Sequence, residues 1–154
     1  MNRTTLIGVV IVIVAAAGVI GYLVYASSPQ GKRFSLEARE FAFIGEGFSG
    51  ATGGPTLRVK AGDTVTVAVT NRGGIAHEFM IVEKQEHEEM VAKKGDMEAH
   101  PNPAFGSMIE LDPGQSKTIT FTAGTPGEFV YACYEETPQL HAGLGMFSRF
   151  IVER

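Results

Sequence analysis

A chain of 154 residues and 16.5 kDa has room for one packed domain and excludes two full-sized ones. Its one cysteine, Cys133, excludes an intramolecular disulfide and any zinc or iron-sulfur site built from several thiolates. Arg3, Lys32 and Arg33 are the only side-chain charges before residue 34, so residues 34–154 carry 10 Lys and Arg against 17 Asp and Glu, a balance of −7 that argues against a nucleic-acid partner.

The first feature along the chain is Leu6 to Tyr25, 20 residues free of charge, Asn, Gln and Pro, the length a helix needs to cross a bilayer core of about 30 Å. The reading is an N-terminal transmembrane anchor within residues 1–26. A cleaved signal sequence competes with it, because Val24 and Ala26 are small residues at a peptidase-like spacing, but a signal's apolar region is usually only about 7–15 residues long. Residues 27–33 read as a polar linker, and 34–154 as the folded domain. The flanking charges give no firm orientation, since long domains translocate largely regardless of them.

From Phe34 onward the apolar residues recur every second position between turn signals, the pattern of an antiparallel sandwich or barrel. With 19 Gly, 7 Pro and no Trp, the composition is also that of a turn-rich β protein. The predicted strands are Glu40 to Ile44, Thr56 to Lys60, Thr64 to Asn71, Glu78 to Val82, Met108 to Leu111, Ser116 to Thr122, Glu128 to Cys133 and Phe147 to Glu153. Turns fall at Ala61-Gly62-Asp63, Asn71-Arg72-Gly73-Gly74, Asp112-Pro113-Gly114 and Thr125-Pro126-Gly127. One stretch departs from the pattern: Glu83 to Gly95 is strongly charged and reads as a short helical insertion with Gly95 as C-cap, followed by an irregular Asp96 to Gly106.

The chemistry sits near the C-terminus, in the run Cys133-YEETPQL-His141-AGLG-Met146. A loop can fold a thiolate, an imidazole and a thioether onto one point, where a strand cannot. These are the ligand types that select copper, and a trigonal His₂Cys set with a weak axial Met is the electron-transfer copper geometry. A second histidine is needed, and His77, after a Gly-rich turn and at the head of an apolar strand, is the candidate. Taken singly, each residue has a plainer reading as core or surface filler; the conjunction is what points to a metal.

As a set, Thr56 to Arg72, then His77-Glu78-Phe79, then Leu111 to Cys133, then His141 and Met146 resemble the cupredoxins, or blue copper proteins, over roughly Arg39 to Arg154. The resemblance implies an all-β, Greek-key β-sandwich holding one copper ion per chain, ligated by His77, Cys133, His141 and, axially, Met146. It implies a one-electron carrier rather than an enzyme, serving redox protein donors and acceptors, with no small-molecule substrate. An anchored acidic form is similar to sulfocyanin-like and halocyanin-like members, which places the copper domain on the outer face of the cell membrane in an electron-transport chain. Two departures stand out: seven residues separate Cys133 from His141, more than plastocyanin-like members have, and the charged insertion follows Val82.

Around the ligands, Phe79, Phe129, Tyr131 and Phe147 are expected to form an apolar shell. Glu78 is expected to reach the backbone of the Cys133 loop. His141 is expected nearest solvent, with Leu140, Ala142, Gly143 and Leu144 as an apolar rim for partner docking. An extracytoplasmic copper chaperone or store is the alternative function, using the same soft ligands with exchangeable copper. His87, Met90, Met97 and His100 are a weaker candidate for a second copper-acquiring cluster, against the plainer reading of scattered surface residues. A copper enzyme would need a further three-histidine centre, for which only His87 and His100 remain, or a second Cys for a binuclear thiolate centre, and a metal-free adhesion module would make the whole arrangement accidental.

Overall fold

The computed structural model describes residues 31–93, 101–106, 108–136 and 138–154. The predicted anchor, the proposed C-cap Gly95, and Met97 and His100 lie outside them. Among the described residues no helix is long and apolar enough to cross a membrane.

Among the described residues nine strands make two sheets. One has the order β2-β1-β4-β7, built from β1 (Gly31–Arg39), β2 (Ala42–Ile44), β4 (Thr64–Asn71) and β7 (Ser116–Thr122). The other has the order β3-β9-β8-β5-β6, built from β3 (Leu57–Lys60), β5 (His77–Glu83), β6 (Met108–Leu111), β8 (Gly127–Ala132) and β9 (Phe147–Glu153). Alternation does the work in β4, where Val65, Val67 and Val69 point inward between half-exposed or exposed neighbours. Phe43, Val67, Ile119 and Phe121 of the first sheet meet Val59, Phe79, Tyr131 and Phe150 of the second in one core.

The sandwich is not wholly antiparallel, as the sequence pattern implied: β1 pairs parallel with β4, and β3 parallel with β9. Residues 31–33, read as linker, belong to β1, where Gly31 to Arg33 align with Thr64 to Thr66. Their pairing partner is another segment's backbone, which a local composition of Gly, Lys and Arg does not reveal. The expected strand Glu40 to Ile44 is broken, because Glu40 and Phe41 form a turn between β1 and β2. Phe41 has φ 66°, left-handed backbone that a bulky side chain rarely adopts.

The charged insertion does form a helix, α1 (Lys84–Ala92), with His87 and Met90 buried three residues apart on one stripe. It covers the outer face of the second sheet. Met80, Val82, Val130, Ala132, Tyr134, Leu140 and Ala142 form a second apolar cluster there with Met90. This explains why β5 is buried on both faces from His77 to Val82, instead of alternating.

Candidate metal centre

Antiparallel pairing decides where the predicted ligands meet. Because β8 lies between β5 and β9 and runs against both, the start of β5, the end of β8 and the start of β9 share one end of the sandwich. His77 opens β5, Cys133 follows β8, and Met146 precedes β9. The ligand atoms of His77, Cys133 and His141 all lie within 4.8 Å of one another, and all three residues are buried. Cys133 Sγ is 3.3 Å from His141 Nδ1 and 3.9 Å from His77 Nδ1. A metal held at about 2.3 Å from sulfur and about 2.0 Å from nitrogen separates such donors by roughly 3.5–4 Å, so the set fits one ion. Met146 is fully buried in the same core as Cys133, and Cys133 N–H donates to Met146 O at 3.1 Å.

The sulfur is prepared for a negative charge. Glu78 N–H donates to Cys133 Sγ at 3.1 Å, and the Glu135 N–H also points at it. Burial nevertheless pushes the thiol up to about 12, so without a metal Cys133 holds its proton, and a bound cation must displace it. Burial likewise takes His77 down to about 4, leaving a neutral imidazole, the form that ligates. His77 Nε2, the nitrogen away from the sulfur, is buried with no hydrogen-bond partner.

The site's donors and its family now coincide. Residues 53–153 match the copper binding proteins of the plastocyanin/azurin family. The chain belongs to that family. Copper, one ion per chain, is therefore its metal, at the His-Cys-His set just described. No curated protein matches the sequence. Among solved structures, this family member is similar to the dithionite-reduced auracyanin of the photosynthetic bacterium Roseiflexus castenholzii, at 24% identity and TM-score 0.58 over 82% of this chain and 98% of that one. It is also similar to auracyanin A, described as a "blue" copper protein, of Chloroflexus aurantiacus, at 21% identity and TM-score 0.55 over 80% and 99%. A multi-copper oxidase of Pseudomonas thermotolerans shares the fold at 18% identity and TM-score 0.55; the match covers 82% of this chain but only 30% of the oxidase. At these identities the likeness is one of fold.

The surroundings of this cupredoxin's site differ from the sequence expectation at Phe129, Phe147 and His141, while Glu78 does meet the backbone that follows Cys133. Glu78 lies on the outer face of β5, where its carboxylate accepts the Tyr134 N–H. Burial, then the neighbouring charges of Glu135 and Glu110, push it up to about 7. Phe79 is buried below the site, 5.6 Å from the Phe43 ring and 5.4 Å from Tyr131. Phe147 is not part of an apolar shell: it pairs with Ala132 across β8 and β9, faces outward and is 39% exposed. Met146 takes the inward position, so alternation turns its neighbour out. Phe129 is four residues upstream of Cys133 and packs on Phe105 instead.

His141 is not at the surface. It is fully buried, and the Phe41 ring of the strained β1–β2 turn packs edge-on against it with ring centroids 5.4 Å apart. Of the expected docking rim, Leu140 and Ala142 are buried in the second cluster, while Gly143 is exposed and Leu144 half-buried. His87, placed in a possible second copper cluster, is instead buried, with Nδ1 2.9 Å from Tyr134 Oη.

Two supporting residues escaped the sequence reading. Asn71 is buried at the end of β4; its Nδ2 donates to Ile75 O at 2.7 Å and Leu111 O at 2.9 Å, and its Oδ1 accepts from Gly73 N–H at 2.8 Å. It thereby fixes the turn that delivers His77. Glu40 accepts the Gly74 N–H at 2.5 Å in the same turn. A Cβ on Gly73 would stand 2.9 Å from both Glu40 Oε1 and His77 Nε2, so only glycine lets the turn close over the imidazole. The available signal was Asn in a Gly-rich turn before a strand, which marks a side chain that bonds its own backbone.

Proposed function

We propose that this chain is a one-electron carrier, not an enzyme, with a mononuclear type 1 copper site that His77, Cys133 and His141 would hold, with the thioether of Met146 as a further, weaker donor. The observation that carries the reading is a donor set closed off from water and held by backbone that sheet pairing and hydrogen bonds keep in place. Copper supplies, when bound, a Cu(I)/Cu(II) couple. Cys133 provides the thiolate, and the Glu78 and Glu135 N–H groups hold its charge in either oxidation state. Asn71 and Glu40 keep the His77 turn still, which limits the movement that electron transfer would otherwise require. Among the described residues the one histidine outside the set, His87, is occupied by Tyr134, which leaves little from which to build a second, catalytic copper centre.

The carrier is anchored by Leu6 to Tyr25, with its domain on the outer side of the membrane. Its partners are redox proteins of a membrane electron-transport chain. The test is to load the full chain with one equivalent of Cu(II), cycle it with ascorbate and oxidant, and challenge it with a chelator. A carrier bleaches and recovers reversibly and keeps its copper; copper lost readily in both oxidation states would make the chain a chaperone or store.

Electrons leave through the loop that carries His141, where Leu144 and Gly143 border a groove with Val91, Pro138 and Gln139. Leu144→Asp is expected to leave copper bound and to slow Cu(I)/Cu(II) self-exchange between two copies roughly tenfold, since a new negative charge on the apolar rim of a domain that is already net negative acts on encounter. The rate is read from NMR line broadening. An unchanged rate would move the exit elsewhere.

A further inference from the structure

The insertion helix touches the immediate neighbours of the copper loop's ligands. His87 Nδ1 meets the hydroxyl of Tyr134, the residue after Cys133, at 2.9 Å. The same imidazole lies 4.5 Å from the ring of Phe147, the residue after Met146. Met90, one helical turn on, shares an apolar cluster with Leu140 and Ala142, the two residues that flank His141. Every other residue of α1 is exposed or half-buried, so His87 and Met90 are its buried face, with half-buried Val91 packed beside them.

That arrangement answers a problem set by the sequence. Seven residues between Cys133 and His141 make a long connection, and among its described residues the ladder contributes only the isolated Glu136–Leu140 bridge, with His141 N–H donating to Glu135 O at 2.9 Å. Such a loop has many conformations in which its ligands miss the metal, and ordering it costs entropy for each residue. A buried polar pair is a directional clamp, because separating it strands a donor and an acceptor away from water. Burial also holds His87 below its ordinary value, so it meets Tyr134 as a neutral imidazole.

We infer that α1 is a buttress for the copper loop, and that His87 is a positioning residue that bridges the chain just after Cys133 to the chain just after Met146. This rests on the type 1 reading of Cys133, His141 and Met146, and goes beyond it by giving the insertion a task. His87 acts on copper only through its neighbours: it sets the placement of the thiolate and the thioether relative to each other, already tied by the Cys133 N–H to Met146 O bond. The balance between those two sulfurs is what the spectrum of such a site reports.

The experiment compares the full chain with His87→Ala, His87→Gln and Tyr134→Phe, each titrated with Cu(II) and followed by visible and electron-paramagnetic-resonance spectra. His87→Ala and Tyr134→Phe are expected to change the intensity ratio of the thiolate-to-copper bands and to weaken copper binding about tenfold, as loss of an outer-shell partner does. In His87→Gln the amide can again meet the Tyr134 hydroxyl, so both readouts move back toward the parent. If His87→Ala does not fold, Tyr134→Phe, which removes one hydroxyl, decides alone. Variants that lose thermal stability while band ratio and affinity stay at parent values would overturn the inference, leaving α1 a cover. If the unchanged chain itself shows no thiolate band, the copper reading falls first, and this inference with it.

Discussion

Replacing Cys133 with Ser is expected to abolish the intense thiolate-to-copper absorption and to weaken copper binding by more than the roughly 10- to 100-fold that losing an outer-shell partner costs. The reason lies in the donor. Cys133 is the set's only anionic ligand, and its sulfur is aimed at by two backbone N–H groups, from Glu78 and Glu135, that hold the charge once copper has displaced the proton. A serine hydroxyl at the same place stays protonated at neutral pH and offers a hard oxygen to a metal that prefers sulfur. The fold should survive, because the hydroxyl can accept the Glu78 N–H; burying it costs about 1–3 kcal/mol. Optical and resonance spectra of parent and variant, with a thermal melt of each without metal, check both halves. A variant that bound copper as tightly as the parent, or a parent that showed no thiolate band, would place the copper away from Cys133.

The largest effect on stability is expected from Phe43→Ala. Phe43 is fully buried on the three-residue β2, and its ring meets Phe79 edge-on at 5.6 Å and Tyr131 at 5.3 Å, joining the two sheets just below the metal. Truncating a buried phenylalanine removes its transfer free energy and leaves a cavity, which costs about 3–5 kcal/mol. The neighbours are poorly placed to fill the space: the Tyr131 hydroxyl is pinned to Pro55 O at 2.6 Å, and the Phe79 backbone is paired with Ile109 in β6. Urea unfolding of the metal-free chain measures the loss; a change below about 1 kcal/mol would mean that the core collapses onto the gap. Spectra of the loaded variant should also broaden, since Phe79 is two residues from His77.

The fold class, the helical character of the insertion, most of the strands, and the residue types that gather at the copper site are all legible in the chain. Val65, Val67 and Val69 alternate in the chain as they do in the sheet, and Cys133, His141 and Met146 are close in sequence, so local pattern is enough to find them. That Gly31 to Arg33 are strand follows from sheet pairing alone, since their partners, Thr64 to Thr66, lie more than thirty positions away. The same is true of what surrounds the metal. Phe41 covers His141, Phe147 turns outward to His87, and Asn71 and Glu40 hold the His77 turn. Period two assigns a side chain to a face but does not name what packs on that face. Turns and loops have no period at all, so their contacts are set by the sheets they connect. The placement of α1 over Tyr134 and the copper loop is the sharpest case: its charges announce a solvated helix, and it is the burial of His87 and Met90 against a second cluster that makes it part of the site.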